Sequence, residues 1–216
     1  MKFLLVCVLS FSWIGNVMAI EEPKYDIVLT DGSFEIRKYS PYIVAETLVQ
    51  GDMDEASSKG FRLIADYIFG NNQAASAASN EKIAMTAPVT VEPQSAKMAM
   101  TAPVTLEPQA SAQSMATSKQ WLVKFIMPSQ YTLATIPKPK NSAVTLREVP
   151  GKQYAVLKYS GINFQSRVQT KTQEALEWAT QKNLEVIGQP QLARYDPPWT
   201  LPMFRRNEIM IEINRP

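Results

Sequence analysis

The chain has 216 residues, 45% of them hydrophobic, and its 22 Lys and Arg nearly balance 20 Asp and Glu. It has no histidine and one cysteine, Cys7. That excludes a His/Cys zinc site, a Ser-His-Asp or Cys-His triad, a thioredoxin-type pair and a His-ligated haem, and the charge balance argues against nucleic acid, which calls for a basic stripe.

The N-terminus begins with Met1-Lys2, continues through an apolar run from Phe3 to Ile14, and reaches Val17-Met18-Ala19, a small-x-small-like site. This is the pattern of a secretory signal peptide over residues 1–19, cleaved after Ala19. The run is short of the roughly 20 apolar residues of a membrane span. Cys7 would leave with it. The expected mature chain, residues 20–216, is exported to a periplasm or outside the cell, does not span a membrane and has no disulfide, so its core alone must stabilise it. It is long enough for one good-sized domain, and a monomer is expected.

Next comes Phe34–Gly51, FEIRKYSPYIVAETLVQG, which reads as strand, Pro-containing turn, strand. The same plan recurs in Val144–Gly161, VTLREVPGKQYAVLKYSG, at a constant offset of 110 that matches Arg37 with Arg147, Ala45 with Ala155 and Gly51 with Gly161. A helical stretch follows each. Asp54–Phe69 places Phe61, Ile64, Ala65 and Ile68 on one face, and Phe164–Lys182 places Val168, Thr172, Ala175, Leu176 and Ala179 on one face. Asp52 or Asp54 is a candidate cap for the first helix and Asn163 for the second. After the helices, Ala84–Pro88 is matched with Ala193–Pro197, and Trp121–Met127 and Glu208–Ile213 read as final strands. The chain thus reads ββαββ twice. Two such units close into one antiparallel sheet or barrel with two helices outside, an α+β fold.

Between the halves lies a second repeat. Lys82–Ala96, KIAMTAPVTVEPQSA, matches Lys97–Ser111, KMAMTAPVTLEPQAS, at 11 of 15 positions. Its flanks are rich in Ala, Ser, Gln and Asn, so a flexible low-complexity insertion is expected over about 71–119. One copy is expected to dock in the fold and the other to bulge outward.

The blocks FEIRKYSPYIVAET, GFRLIADYIFGNN, KIAMTAPVTV and ARYDPPWTLPMFRRNEIMIEI resemble, in this order, the SOUL family of haem-binding proteins. The resemblance implies a distorted antiparallel β-barrel of two pseudo-repeated halves with two helices, related in architecture to the GyrI-like fold. It also implies a small hydrophobic planar ligand, haem or another tetrapyrrole, held non-covalently in a cleft between the first helix and the loop after YDPPW. On the helix, Ser58, Phe61, Arg62 and Ala65 recur near i, i+3, i+4 and i+7. On the loop, Trp199, Thr200, Met203 and Phe204 are apolar or small. Trp199, Met203 and Ala65 would touch the plate and Arg62 would pair with a propionate, while Met85 or Met100, or a phenolate from Tyr39, Tyr42 or Tyr195, could reach the iron. Equally, Phe61 and Ala65 suit a core, and Arg205 and Arg206 suit pairing with Glu208 or Glu212.

The expected function is therefore an exported protein that holds haem or a related tetrapyrrole without histidine ligation and without catalysing a reaction. One alternative is an envelope protein binding a lipid or peptide. Another is a carboxylate-dependent hydrolase, for which Asp54, Glu55, Asp66 and Asp196 are the acids near the cleft.

Overall fold

The computed structural model describes residues 20–75, 79–94 and 112–214. The expected signal segment, the second repeat copy and its Met100 lie outside them. In chain order the elements are β1 (Tyr25–Asp31), β2 (Phe34–Tyr39), β3 (Tyr42–Gln50), α1 (Met53–Ile68), β4 (Asn72–Gln73), β5 (Val89–Pro93), α2 (Ala112–Thr117), β6 (Gln120–Ile126), β7 (Lys138–Pro139), β8 (Thr145–Val149), β9 (Gln153–Ser160), α3 (Gln165–Gln181), β10 (Gln191–Arg194), a 3-10 turn (Pro202–Phe204) and β11 (Arg206–Ile213).

Nine strands form one curled antiparallel sheet in the order β1-β2-β9-β11-β10-β5-β6-β3-β8. The two halves exchange their outer strands: β2 of the first pairs with β9 of the second, and β8 of the second pairs with β3 of the first. The registers obey the internal duplication. Arg37 lies opposite Tyr154 and Arg147 opposite Val44, while Ile36 lies opposite Ala155 and Leu146 opposite Ala45. These pairs interconvert under the offset read from the sequence. At the centre, Val91 of β5 faces Leu192 of β10, and each continues to Val123 of β6 or Ile209 of β11. The pseudo-two-fold axis passes between Val91 and Leu192. This corrects the expected match of Ala84 with Ala193, because sheet register, not the shared alanines and prolines, sets the equivalence.

One face of the sheet carries the helices, α1 on β3 and β6, α3 on β9 and β11. Trp121, Val123, Phe125, Ile209 and Ile211 are fully buried beneath them. Alternation puts these residues on a single face, as period-2 strands require. In α1, Ile64 and Ile68 are fully buried, and Gly60 lies so close to β6 that a Cβ there would meet Val123 Cγ2 at 2.5 Å. In α3, Trp178 adds to the expected stripe, stacking on Phe34 at 4.9 Å between ring centroids. Asp52 caps α1, its carboxylate accepting from Glu55 N at 2.8 Å. Asn163 does not cap α3. That position falls to Phe164, and the Asn163 side chain instead joins Tyr159 Oη to Asn207.

The bounds expected for the flexible insertion are too wide. Asn72, Ile83, Val91 and Met115 are buried, and β5 pairs on both sides. The first repeat copy docks in the sheet. Its Thr86 hydroxyl donates to Ile126 O and its Ala87 N donates to Glu21 O at 2.9 Å. Low-complexity composition weakens a segment's own tendency to fold, but a vacant central place in a sheet offers enough pairing to order it.

Candidate ligand cleft

β10 ends at Arg194 and the chain turns back into β11 through Tyr195–Arg205. Tyr195 N donates to Arg206 O at 3.2 Å, and Asp196 accepts from Arg206 N at 2.6 Å, closing the base of the loop. Within it, Thr200 N donates to Pro197 O at 3.0 Å and Phe204 N to Leu201 O at 2.9 Å. The Arg205 guanidinium staples the interior, its Nε donating to Thr200 O at 2.7 Å and its Nη2 to Pro198 O. Two prolines before Trp199 and one at the start of the 3-10 turn further restrict the backbone. Hydrogen bonds and prolines thus hold the loop, leaving its large side chains outward. Trp199 is 82% exposed and Phe204 70%, with Leu201 and Met203 also exposed. Four large apolar side chains in six residues, held facing water, form the kind of patch that marks a binding surface.

The α1 residues divide between two sides of the helix. Ser58 is exposed, Phe61 is half-exposed with its ring 5.4 Å from Phe125, and Ala65 is buried. Asp54, one turn before Ser58, carries an ion pair to Arg194 at 3.3 Å, which ties this flank of α1 to the root of the loop. Arg62 is exposed on the other flank, where it lines an open groove with Leu48, Val49, Lys59, Leu63 and Asp66. The structure therefore does not group Arg62 with the loop. Met85 is 38% exposed just before Thr86, which bridges to Glu21. Thr200 is half-buried. A cleft of about 330 Å³ near Glu21, Tyr42, Met127 and Tyr131 is lined by none of the eight residues expected at the site.

The face of the sheet opposite the helices holds what the sequence reading missed. Arg37 and Glu208 are almost completely buried there. The described helices α1 and α3 pack on the other face, and here the centroid of the Tyr25 ring lies 4.5 Å from the Arg37 guanidinium carbon. Arg37 grips Glu208 through Nη1–Oε2 at 2.8 Å and Nη2–Oε1 at 2.9 Å, and its Nε donates to Glu35 at 2.6 Å. Tyr195 Oη and Arg206 Nε also donate to Glu208, at 2.7 and 2.9 Å, and Lys158 pairs with Glu35. Arg206 continues to Glu22 at 2.9 Å. Three acids and three bases balance. The alternation Glu35-x-Arg37 on a strand was the available signal, since both must share one face.

This network decides several chemical possibilities. Glu208 accepts from four donors, which leaves no lone pair directed at a substrate. Asp54, Glu55 and Asp196 are engaged with Arg194, Lys59 and Arg206 N, and Asp66 with Asn71. Burial pushes the phenols of Tyr39 and Tyr195 well above the usual tyrosine value and raises that of Tyr42, disfavouring phenolate ligation of iron. Among the described residues, no group of three or more Asp, Glu, His or Cys could hold a metal ion, and no helix is long and apolar enough to cross a membrane.

Two exchanged halves, one helical face and a fixed apolar loop beside the first helix define a GyrI-like α+β architecture. The C-terminal domain of EcmrR is similar at a TM-score of 0.57 and 8% identity, over 89% of this chain and 99% of that one. An uncharacterized conserved protein from Listeria innocua gives 0.52 and 12%, over 84% and 92%, and a hydrolase from the same organism gives 0.51 and 10%, over 87% and 94%. At such identities the likeness is one of fold. No curated protein matches the chain. The family described as SOUL heme-binding protein matches residues 20–97 and 92–212, and the chain belongs to it.

Proposed function

We propose that this is an exported binding protein that seats haem or a related tetrapyrrole against the Trp199–Phe204 loop and the Ser58–Phe61 flank of α1. The observation that carries the reading is the loop itself, four large apolar side chains fixed outward by hydrogen bonds of the backbone and of Arg205. Covering a side chain of this kind returns about 1.5–3 kcal/mol, and a preset backbone loses little entropy on binding.

The residues fit the porphyrin better than its iron. Trp199, Met203 and Phe204 are exposed apolar side chains of the loop, Thr200 is half-buried among them, and Ser58 and Phe61 stand exposed on α1. A bound haem would supply redox or gas-binding chemistry through its iron. The protein side offers no imidazole, protonated buried tyrosines, and the thioethers of Met203 and Met85 as the exposed soft donors near the loop and before β5. Carriage of the ligand is favoured over catalysis, because every acid considered for hydrolysis already has a partner. Export through cleavage after Ala19 belongs to the same proposal, and the N-terminal sequence of the secreted or periplasmic form tests it. Binding is tested by titrating protein that begins at Ile20 with haemin. Saturation at one equivalent supports the seat, and the absence of saturation removes it.

A further inference from the structure

The sequence offers several cations near the loop, and the structure commits nearly all of them. Arg205 is the loop's own staple. Arg206 is held by Glu208 and Glu22 and lies 3.8 Å over the Tyr195 ring. Arg167 at the start of α3 donates to Ser160 O at 2.9 Å. Arg62 lines the groove beside β3, on the other flank of α1. Arg194 is different. Its Nε is buried and has no hydrogen-bond partner. One further nitrogen makes a long 3.3 Å contact to Asp54, whose side chain is 69% exposed. A guanidinium has five N–H donors in a planar fork that suits a carboxylate, and a buried donor left unpaired is costly until something accepts from it.

We propose that Arg194 is the anion anchor of the cleft, receiving a carboxylate of the ligand in place of, or beside, Asp54. This rests on the reading that the loop is the ligand seat, and it narrows the ligand class to apolar plates that carry an acidic group. The position suits the role. Arg194 is the last residue of β10, rigidly paired with Val89 and Asn207, and it immediately precedes the apolar loop. Asp54 acts as a place-holder. An exposed carboxylate in a long ion pair contributes little, so a ligand carboxylate displaces it readily, and in the free protein it keeps Arg194 turned toward the α1 flank.

The experiment compares haemin with haemin dimethyl ester, which has the same plate and iron but no free carboxylates, by Trp fluorescence quenching and by visible absorbance. Wild-type protein should prefer haemin by about tenfold, the size of one good charge-assisted pair. Arg194→Gln should lose that preference while keeping its affinity for the ester. Asp54→Asn, which frees Arg194 without touching it, should tighten haemin several-fold and leave the ester unchanged. Circular dichroism of each variant verifies the fold. Equal wild-type affinity for both ligands, or equal weakening of both by Arg194→Gln, overturns the anchor. If Trp199→Ala still abolishes both, the loop reading survives that failure. If neither ligand binds the wild type, loop and anchor fall together.

Discussion

Arg37 of β2 and Glu208 of β11 form a two-pronged ion pair, 2.8 and 2.9 Å, on the sheet face opposite α1 and α3. Both side chains are at most 1% exposed. Taking one partner from such a pair strands the other charge, at a cost of about 3–5 kcal/mol, whereas replacing both by apolar residues of similar volume is often close to neutral. Arg37→Met should therefore unfold at much lower urea than wild type, and Arg37→Met with Glu208→Leu should recover much of the loss. If the double variant is no better than the single one, the pair is not an isolated unit, and Glu35, Tyr195 and Arg206 share its energy.

The same network makes stability pH-dependent. Burial raises the Glu35 pKa, but Lys158 and Arg37 outweigh it and hold the carboxyl below its ordinary value. A depressed folded pKa gives a contribution fully present above the unfolded value, about 4.5, and lost as pH falls through the folded one. Urea midpoints measured from pH 7 to pH 3 should fall steeply only below the ordinary glutamate range. Lys158→Met should flatten that fall, and an unchanged slope would remove Glu35 as its source.

Gly60 tests the packing of α1. A Cβ there would come within 2.5–2.9 Å of three Val123 side-chain atoms, and overpacking of this kind costs about 1–3 kcal/mol. Gly60→Ala should lower the thermal midpoint even though alanine favours helix. Pairing it with Val123→Ala should restore part of the loss. Stabilisation by Gly60→Ala alone would show that helix and sheet separate easily.

The repeated TAPVT segment gives a sharp asymmetry. Val91 is buried on the pseudo-two-fold axis opposite Leu192, and its counterpart in the second copy is Leu106. Val91→Asn should destabilise strongly, by burying an unsatisfied amide, while Leu106→Asn and deletion of residues 97–111 should leave the urea midpoint nearly unchanged, since loop length enters stability only weakly. Equal damage from Val91→Asn and Leu106→Asn would mean that the two copies exchange in one place.

How much was legible in the sequence follows from what sequence patterns encode. The strands around Ala45 and Ala155 and the helices α1 and α3 were visible because apolar periodicity is local, and the offset that pairs Arg37 with Arg147 survives as sheet register. Trp178 escaped because a large aromatic beside Leu176 does not break the helical stripe noticeably. The buried Arg37–Glu208 pair escaped because charged residues read as solvated until the curl of the sheet is known. For the cleft, the family resemblance points to the loop after YDPPW and to the first helix, and helical spacing then adds Arg62 to the face of Ser58, Phe61 and Ala65. Spacing fixes which residues neighbour one another on a helix, not which flank meets the loop, and Arg194 carried no signal beyond its place before the YDPPW block.

A tetrapyrrole seated on the Trp199–Phe204 loop must lie against the exposed Trp199 ring. The most direct measurement is a haemin titration of wild type and Trp199→Ala, each beginning at Ile20, followed by the Soret band and by tryptophan fluorescence. Wild type should show saturable one-to-one binding with a shifted Soret band, and the variant a loss of at least about tenfold, the scale expected when an aromatic anchor is removed. Failure of the wild type to saturate, or unchanged binding by Trp199→Ala, would contradict that seating.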